Sequence, residues 1–309
     1  MIDSERKPIL VTGAHRTGTT WVGKLLAADP ACAYISEPLN VHHRPGVLGT
    51  RVRHWYTYVC DENEGDYYRS FLQLLAYRYH VRAELAALRS GRDVLRMARD
   101  AGIFTAGRLF RRRPLLKDPF AVFSLAWFVH RFDFQIVVTV RHPAAFVGSL
   151  KRLNWSLDFQ DLLQQPHLMR DHLEPYRVAM ESQAASDVVG QASLLWAMIY
   201  HCLHAMRERL PSVLLVRHED LSLHPTEGFE RLYKALDLDF SPRAQRLVIQ
   251  SSSSENPDQL SVGRVHSVRL DSRANLGNWK RRLDADEIAR VRNLTADVAR
   301  LYYPEEDWN

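Results

Sequence analysis

Between the apolar run 8-PILVTG-13 and the next helical stretch lies Gly13-Ala14-His15-Arg16-Thr17-Gly18-Thr19-Thr20. Its two glycines stand in register with GxxxxGK[ST], a loop whose inward-turned amides, with the start of the following helix, hold phosphate groups. The lysine that reaches the β- and γ-phosphates is absent. Thr19 takes its place, Thr20 takes that of the Ser/Thr, and the positive charge sits inside the loop at Arg16. An anion cradle therefore remains, without the usual hold on a triphosphate. The same glycines also serve in a plain strand-to-helix turn, so the loop alone leaves both readings open.

A cradle of this kind needs a strand before it, a helix after it and a sheet around it. The runs 8-PILVTG-13, 134-FQIVVTV-140 and 212-SVLLVRH-218 are β-branched and apolar throughout, the pattern of buried parallel strands. LLK at 115–117 is a shorter fourth. Helical periodicity spans 19–28, a long stretch near 67–110, then 144–153, 191–209 and 225–235. The alternation predicts an α/β fold: a P-loop-like central parallel sheet flanked by helices on both faces, with ligands at the carboxyl ends of the strands. One domain is expected over 1–309. The stretches 42–110 and 154–190, which carry Trp55, Tyr56 and Trp155, read as helical insertions on the acceptor side. The patch 251-SSSSENP-257 reads as a mobile loop.

Composition excludes several classes. Apolar residues make up 46%, charged residues 25% and aromatics 10%, an ordinary globular balance. The net charge of +5 suits an anionic ligand and equally a plain basic protein. Cys32, Cys60 and Cys202 form no close-spaced pair, against a disulfide framework. The charged opening MIDSERKPIL and the lack of a long apolar run predict a cytoplasmic protein with no signal peptide and no membrane span.

The segment RTGTTW after a first strand resembles the phosphosulfate-binding loop of sulfotransferases that use 3′-phosphoadenosine 5′-phosphosulfate (PAPS). The resemblance implies that Arg16 contacts the phosphosulfate, with Thr17, Gly18, Thr19, Thr20 and Trp21 completing the cofactor loop. The segment 136-IVVTVRHPAAFVGSLKR-152 resembles the same family's 3′-phosphate site, with Arg141 at a strand end and Ser149 eight residues on. A guanidinium fork and a hydroxyl are apt donors to a phosphate. Two further segments are similar: 214-LLVRHEDLSLHP-225, with His218 where tyrosine is common, and 273-RANLGNWKRRL-283, which implies cofactor contacts from Arg273, Gly277 and Trp279. The family's short C-terminal dimerisation motif is not evident.

Sulfuryl transfer requires in-line alignment, charge neutralisation on the leaving phosphate and removal of the acceptor proton. The Lys-x-His base of phenol and steroid sulfotransferases is missing, because 117-KDPF-120 has Pro119 in the histidine's place. The segment 34-YISEPLNVHH-43 instead resembles the Glu-Pro segment of carbohydrate sulfotransferases. That implies Glu37 as base, with Arg16 and Lys117 steadying the sulfuryl oxygens and leaving group, and a hydroxylated acceptor that is a carbohydrate or a glycosylated or small molecule. Asp118 is the reserve base, and a strand-end carboxylate paired with an arginine such as Arg16 is the plain alternative for Glu37. No metal is expected; His42/His43 and His201/His204 are the nearest candidate ligands. A P-loop kinase using ATP is disfavoured by Thr19 and by the lack of an evident acidic magnesium site. A nucleotide or nucleic-acid binder using Arg111-Arg112-Arg113 lacks any supporting motif, so no nucleic-acid partner is expected.

Overall fold

The computed structural model describes residues 7–259 and 268–308. The first six residues, on which the expectation about a leader partly rests, lie outside that range. Five strands, β1 (Ile9–Thr12), β2 (Cys32–Ser36), β3 (Arg113–Lys117), β4 (Gln135–Val140) and β5 (Val213–Arg217), form one sheet in the order β2-β3-β1-β4-β5. Every pairing is parallel. In β1, Leu10 faces one side and Ile9 and Val11 the other, each with no exposed surface. Alternating side chains with both faces buried is what a parallel sheet demands.

The helices are α1 (Thr19–Leu26), α2 (Gly65–Leu75), α3 (Val81–Ala86), α4 (Gly91–Leu109), α5 (Leu125–Phe132), α6 (Pro143–Leu153), α7 (Gln160–Leu163), α8 (Pro166–Leu168), α9 (Arg177–Glu181), α10 (Val188–Arg207), α11 (His218–Leu223), α12 (Pro225–Ala235), α13 (Pro242–Ser252) and α14 (Ala285–Ala299). They divide between the two faces. Phe128 of α5, Phe146 of α6, Trp196 and Tyr200 of α10 and Val291 of α14 share a core with Leu10, Ile136 and Val138. Val22 and Leu26 of α1, Phe229 and Tyr233 of α12 and Val248 of α13 share the other core with Ile9, Val11 and Val137. Burying one such side chain contributes about 1.5–3 kcal/mol.

The α/β expectation holds, with differences in detail. The strand β2 carries the short mixed run CAYIS, which has no strong strand signature of its own; pairing with β3 along its whole length makes it a strand. The long helical stretch near 67–110 breaks into α2, α3 and α4, with the Ser90–Asp93 capping box starting α4. The patch 251–257 is not wholly loop. Ser251 and Ser252 complete α13, and buried Ser251 accepts from Trp21 Nε1 at 2.9 Å.

Candidate active site

Each strand delivers a candidate residue at its carboxyl end. β1 leads into the 13–18 loop, β2 into Glu37, β3 ends on Lys117, β4 runs into Arg141, and β5 into His218. The sheet order fixes this convergence, because β1 sits at the switch point where connections leave for opposite edges. A cavity of about 580 Å³ lies over these ends.

The loop has the backbone that its glycines require. Gly13 has φ 133°, and a Cβ there would meet Thr139 O at 2.3 Å; Gly18 has φ 96°, and a Cβ would meet His218 Nδ1 at 2.7 Å. Thr17 is buried and turned into the loop, its Oγ1 on Ala14 O at 2.6 Å and beside Thr139 Oγ1 at 2.8 Å. It braces the loop and does not line the cavity, unlike Gly18, Thr19, Thr20 and Trp21. No side chain caps the start of α1 and no acid lies in its first turn, so the positive helix end faces the cavity uncountered.

Four guanidiniums gather there: Arg16, Arg141, Arg152 and Arg282 all line the cavity. Arg16 Nε donates to Ser149 Oγ at 3.2 Å, and Arg141 Nη1 donates to the Arg16 carbonyl at 3.2 Å. The two predicted phosphate segments thus meet. Burial first, then the charges of Arg141, Arg152 and Arg282, lower the Arg16 pKa to about 10. Burial, with Arg141 and Arg152 next, brings Arg282 to about 10 as well. Among the described residues the buried Nε atoms of Arg141 and Arg282 and Nδ1 of His218 have no hydrogen-bond partner. A crowded, desolvated cation cluster with unanswered donors is a site for a polyanion.

The C-terminal segment contributes differently from the reading of its motif. Arg273 is exposed and gives Nη2 to the Leu223 carbonyl at 2.9 Å, and Gly277 is exposed with open space around it. Trp279 is buried against His142, stacked at 5.5 Å between ring centroids. None of the three lines the cavity; Ser272, Asn275 and Arg282 do. The turn of 3-10 helix over Leu276–Arg281 sets this phase, sending Trp279 inward and leaving Arg282 to the cavity. His218 lines the cavity beside Gly18, and burial holds its pKa well below the usual value, so it is neutral.

Glu37 lines the cavity in a left-handed conformation, φ 51°, unusual for a non-glycine residue. Its Oε1 pairs with Lys117 Nζ and its Oε2 accepts from Asn40 Nδ2 at 2.8 Å. Lys117 sits behind the carboxylate, 3% exposed, and does not line the cavity. Asp118 does not line it either. Its carboxylate accepts from Leu39 N at 2.5 Å and Phe120 N at 3.0 Å, and burial raises its pKa to about 7. Asp118 pins the Glu37–Leu39 turn and is not placed to reach an acceptor.

No motif in the sequence marks His15. It lines the cavity beside Arg16, and its Nδ1 lies 2.5 Å from Tyr56 Oη. The His15 backbone N–H also donates to that oxygen, at 3.4 Å. The phenol proton then has His15 Nδ1 as its acceptor among the described residues, which places the imidazole proton on Nε2. Burial, then Arg16, lowers the His15 pKa to about 4, against a smaller opposing pull from Glu37. His15 is a neutral donor and not a base. No sequence signal joins positions 15 and 56; the contact is purely tertiary.

Aromatic side chains also line the cavity: Trp55, Tyr56, Phe120, Trp155 and Phe159. Trp55 packs on Phe120 at 4.6 Å between centroids, and Arg16 lies over Trp155 at 5.7 Å. Of the two insertions, the 42–64 arm and 155–162 reach the cavity, whereas residues 65–109 line none of it. The metal-ligand candidates from the sequence do not assemble. Among the described residues the grouping of suitable donors is Cys60, Glu62 and His167, and Glu62 is already clamped by Arg170 at 2.5 and 3.0 Å.

Comparison with known proteins bears directly on this arrangement. No curated protein sequence matches the chain. Solved structures of similar fold include the sulfotransferase domain from the curacin biosynthetic pathway, with 16% identity, 97% of this chain and 99% of that chain covered and a TM-score of 0.48. Sulfotransferase STF9 from Mycobacterium avium matches at 15% identity over 97% and 78%, TM-score 0.47. Mouse sulfotransferase SULT7A1, solved with PAP, matches at 11% identity over 97% and 88%, TM-score 0.47. At such distances these likenesses carry no argument about chemistry. The sequence profile described as the sulfotransferase family matches residues 8–242, from β1 through the start of α13. With that match covering the loop, Arg141, Ser149 and Glu37, this chain belongs to the sulfotransferase family, whose enzymes transfer a sulfuryl group from PAPS.

Proposed function

We propose that this sulfotransferase acts on a hydroxyl of a carbohydrate-bearing acceptor, with Glu37 taking the acceptor proton. The observation that carries the reading is one cavity lined by a guanidinium cluster, by an aromatic group and by Glu37. The residues present fit the donor: a guanidinium cluster in which the buried Nε atoms of Arg141 and Arg282 lack a hydrogen-bond partner among the described residues, with an uncapped helix start, suits the 3′-phosphate and the phosphosulfate. Bound there, PAPS supplies an electrophilic sulfur and a phosphate leaving group. Arg141, Ser149 and Arg282 would hold the 3′-phosphate, and Arg16 with the 18–20 amides would hold the phosphosulfate. Neutral His15 would add an Nε2–H donor beside Arg16.

On the acceptor side the flat faces of Trp55 and Trp155 suit the C–H face of a sugar ring. Asn40, Asp158 and Asp161 offer hydrogen bonds to the remaining hydroxyls. Lys117 and Asn40 hold the two oxygens of Glu37, which fixes the direction of its lone pairs without removing them. The test is transfer of labelled sulfate from PAPS to matched glycosides and free phenols. The reading expects glycoside turnover that Arg16→Ala abolishes. Turnover confined to simple phenols would overturn the carbohydrate assignment, and transfer of phosphate from ATP with magnesium would overturn the donor.

A further inference from the structure

The arginines near position 111 found no place in the active site, and the helical stretch that carries them has a surface of unusual make-up. Residues 78–112 contain nine arginines and three acids. All three acids, Glu84, Asp93 and Asp100, are buried. They are spent on internal pairs: Glu84 and Asp93 with Arg44, and Asp100 with Arg99. Eight of the arginines are exposed, every one except the half-buried Arg112. The outer face of α3 and α4 is therefore cationic with no exposed carboxylate.

The same face is apolar along a stripe. In α4 the buried residues Asp93, Asp100, Phe104 and Gly107 define the inner side. At 100° per residue, Val94, Leu95, Ala98, Gly102 and Leu109 then fall on the outer side, with Arg92 and Arg99 along one border and Arg108 along the other. Leu95 is 72% exposed, Leu109 71% and Phe110, just past the helix end, 65%. Val81 and Leu85 of the preceding helix α3 are exposed as well. Large apolar side chains turned to solvent between arginines are the arrangement of a helix that lies in a membrane interface.

We propose that the outer face of α3 and α4 docks this enzyme on an anionic lipid surface. A second copy of the chain is a poor occupant, since pairing this face with itself sets arginine against arginine with no carboxylate to answer. A nucleic acid would match the charge and leave Leu95, Leu109 and Phe110 in water. An anionic bilayer meets both features, the headgroups taking the arginines and the acyl boundary the apolar stripe. The face is also tied to the acceptor side. Arg44 and the Gly46 amide, at the root of the arm that carries Trp55 and Tyr56, bind Glu84 at 2.5 Å or a little more. The inference does not depend on which acceptor is sulfated.

Co-sedimentation with vesicles of phosphatidylglycerol and phosphatidylcholine, compared with pure phosphatidylcholine, tests it on the full chain. Binding is expected to the anionic vesicles alone. Each of Arg92→Gln and Arg108→Gln should weaken it about fivefold, and Leu95→Ser/Leu109→Ser/Phe110→Ser at least tenfold, with affinity for PAP unchanged as evidence of an intact fold. Three results would overturn the proposal: no binding to anionic vesicles; binding that survives the triple substitution and is competed by RNA, the mark of a polyanion site; or a solution dimer that the triple substitution splits.

Discussion

Arg282 offers the sharpest test of whether the guanidinium cluster exists for a ligand. The side chain is partly buried, its Nε lacks a partner among the described residues, and Arg141, Arg152 and Arg281 all oppose its charge. Its pKa falls from 12.5 to about 10, with desolvation the first cause. A cation with a lowered folded-state pKa destabilises the fold at every pH below that value, so the penalty is present in full at pH 7. One pH unit corresponds to about 1.4 kcal/mol. Solvent reaches this group and screens it, leaving roughly 1–2 kcal/mol. Arg282→Gln should therefore raise the melting temperature of the ligand-free protein by about 1.5–3 °C. It should also remove charge-assisted bonds worth about 1.5–3 kcal/mol each, which weakens PAP binding roughly 10- to 150-fold. Differential scanning fluorimetry without PAP and calorimetric titration with it read the two effects. A variant that melts lower when ligand-free and binds PAP as well as the parent would refute the reasoning, because Arg282 would then be a structural residue.

Other residues give independent checks. Glu37→Gln should lower kcat by about 10²–10⁴ with PAP affinity unchanged; unaltered turnover in sulfate-transfer assays would remove it as the base. Both ring nitrogens of buried His142 lack partners among the described residues, and burial, then Arg217 and Arg141, takes its pKa to about 3. A histidine kept neutral on folding costs stability as pH drops from its unfolded value near 6.5 toward the folded one. His142→Phe should keep the ring contacts with Trp279 and Trp308 and gain about 2 kcal/mol over the parent at pH 5 relative to pH 8; equal denaturation midpoints at both pH values would contradict this. Nitrogen NMR of labelled histidine should find His15 protonated at Nε2 and not at Nδ1, with Tyr56→Phe releasing the tautomer; an Nδ1–H signal in the parent would reverse its assignment as a donor into the cavity.

Much of the cofactor side is legible in the chain because it is local. Gly13 and Gly18 serve the positive φ of one turn, although the close approach of Thr139 and His218 that also requires them is tertiary, and three β-branched runs suffice to place β1, β4 and β5. Arg141 and Ser149 ride on the strand and helix that join them, so their spacing survives folding. The strand β2 is less visible, since CAYIS becomes a strand only by pairing with β3. At 273–283 the basic residue types are visible in the sequence, but the helical phase sends Trp279 to the core and leaves Arg282 to the cavity.

The sequence by itself determined the two-glycine loop after β1, the arginine inside it and the parallel sheet, because each follows from residue types within a few positions of one another. Tertiary structure decided what those groups do together. It gathered four guanidiniums from three separate segments, turned Thr17 and Asp118 from candidate contacts into braces, and set Tyr56 against His15 across 41 positions. Repulsion among the arginines, burial of His15 and the direction of its proton depend on distances that no short stretch encodes. They arise only when the carboxyl ends of all five strands meet.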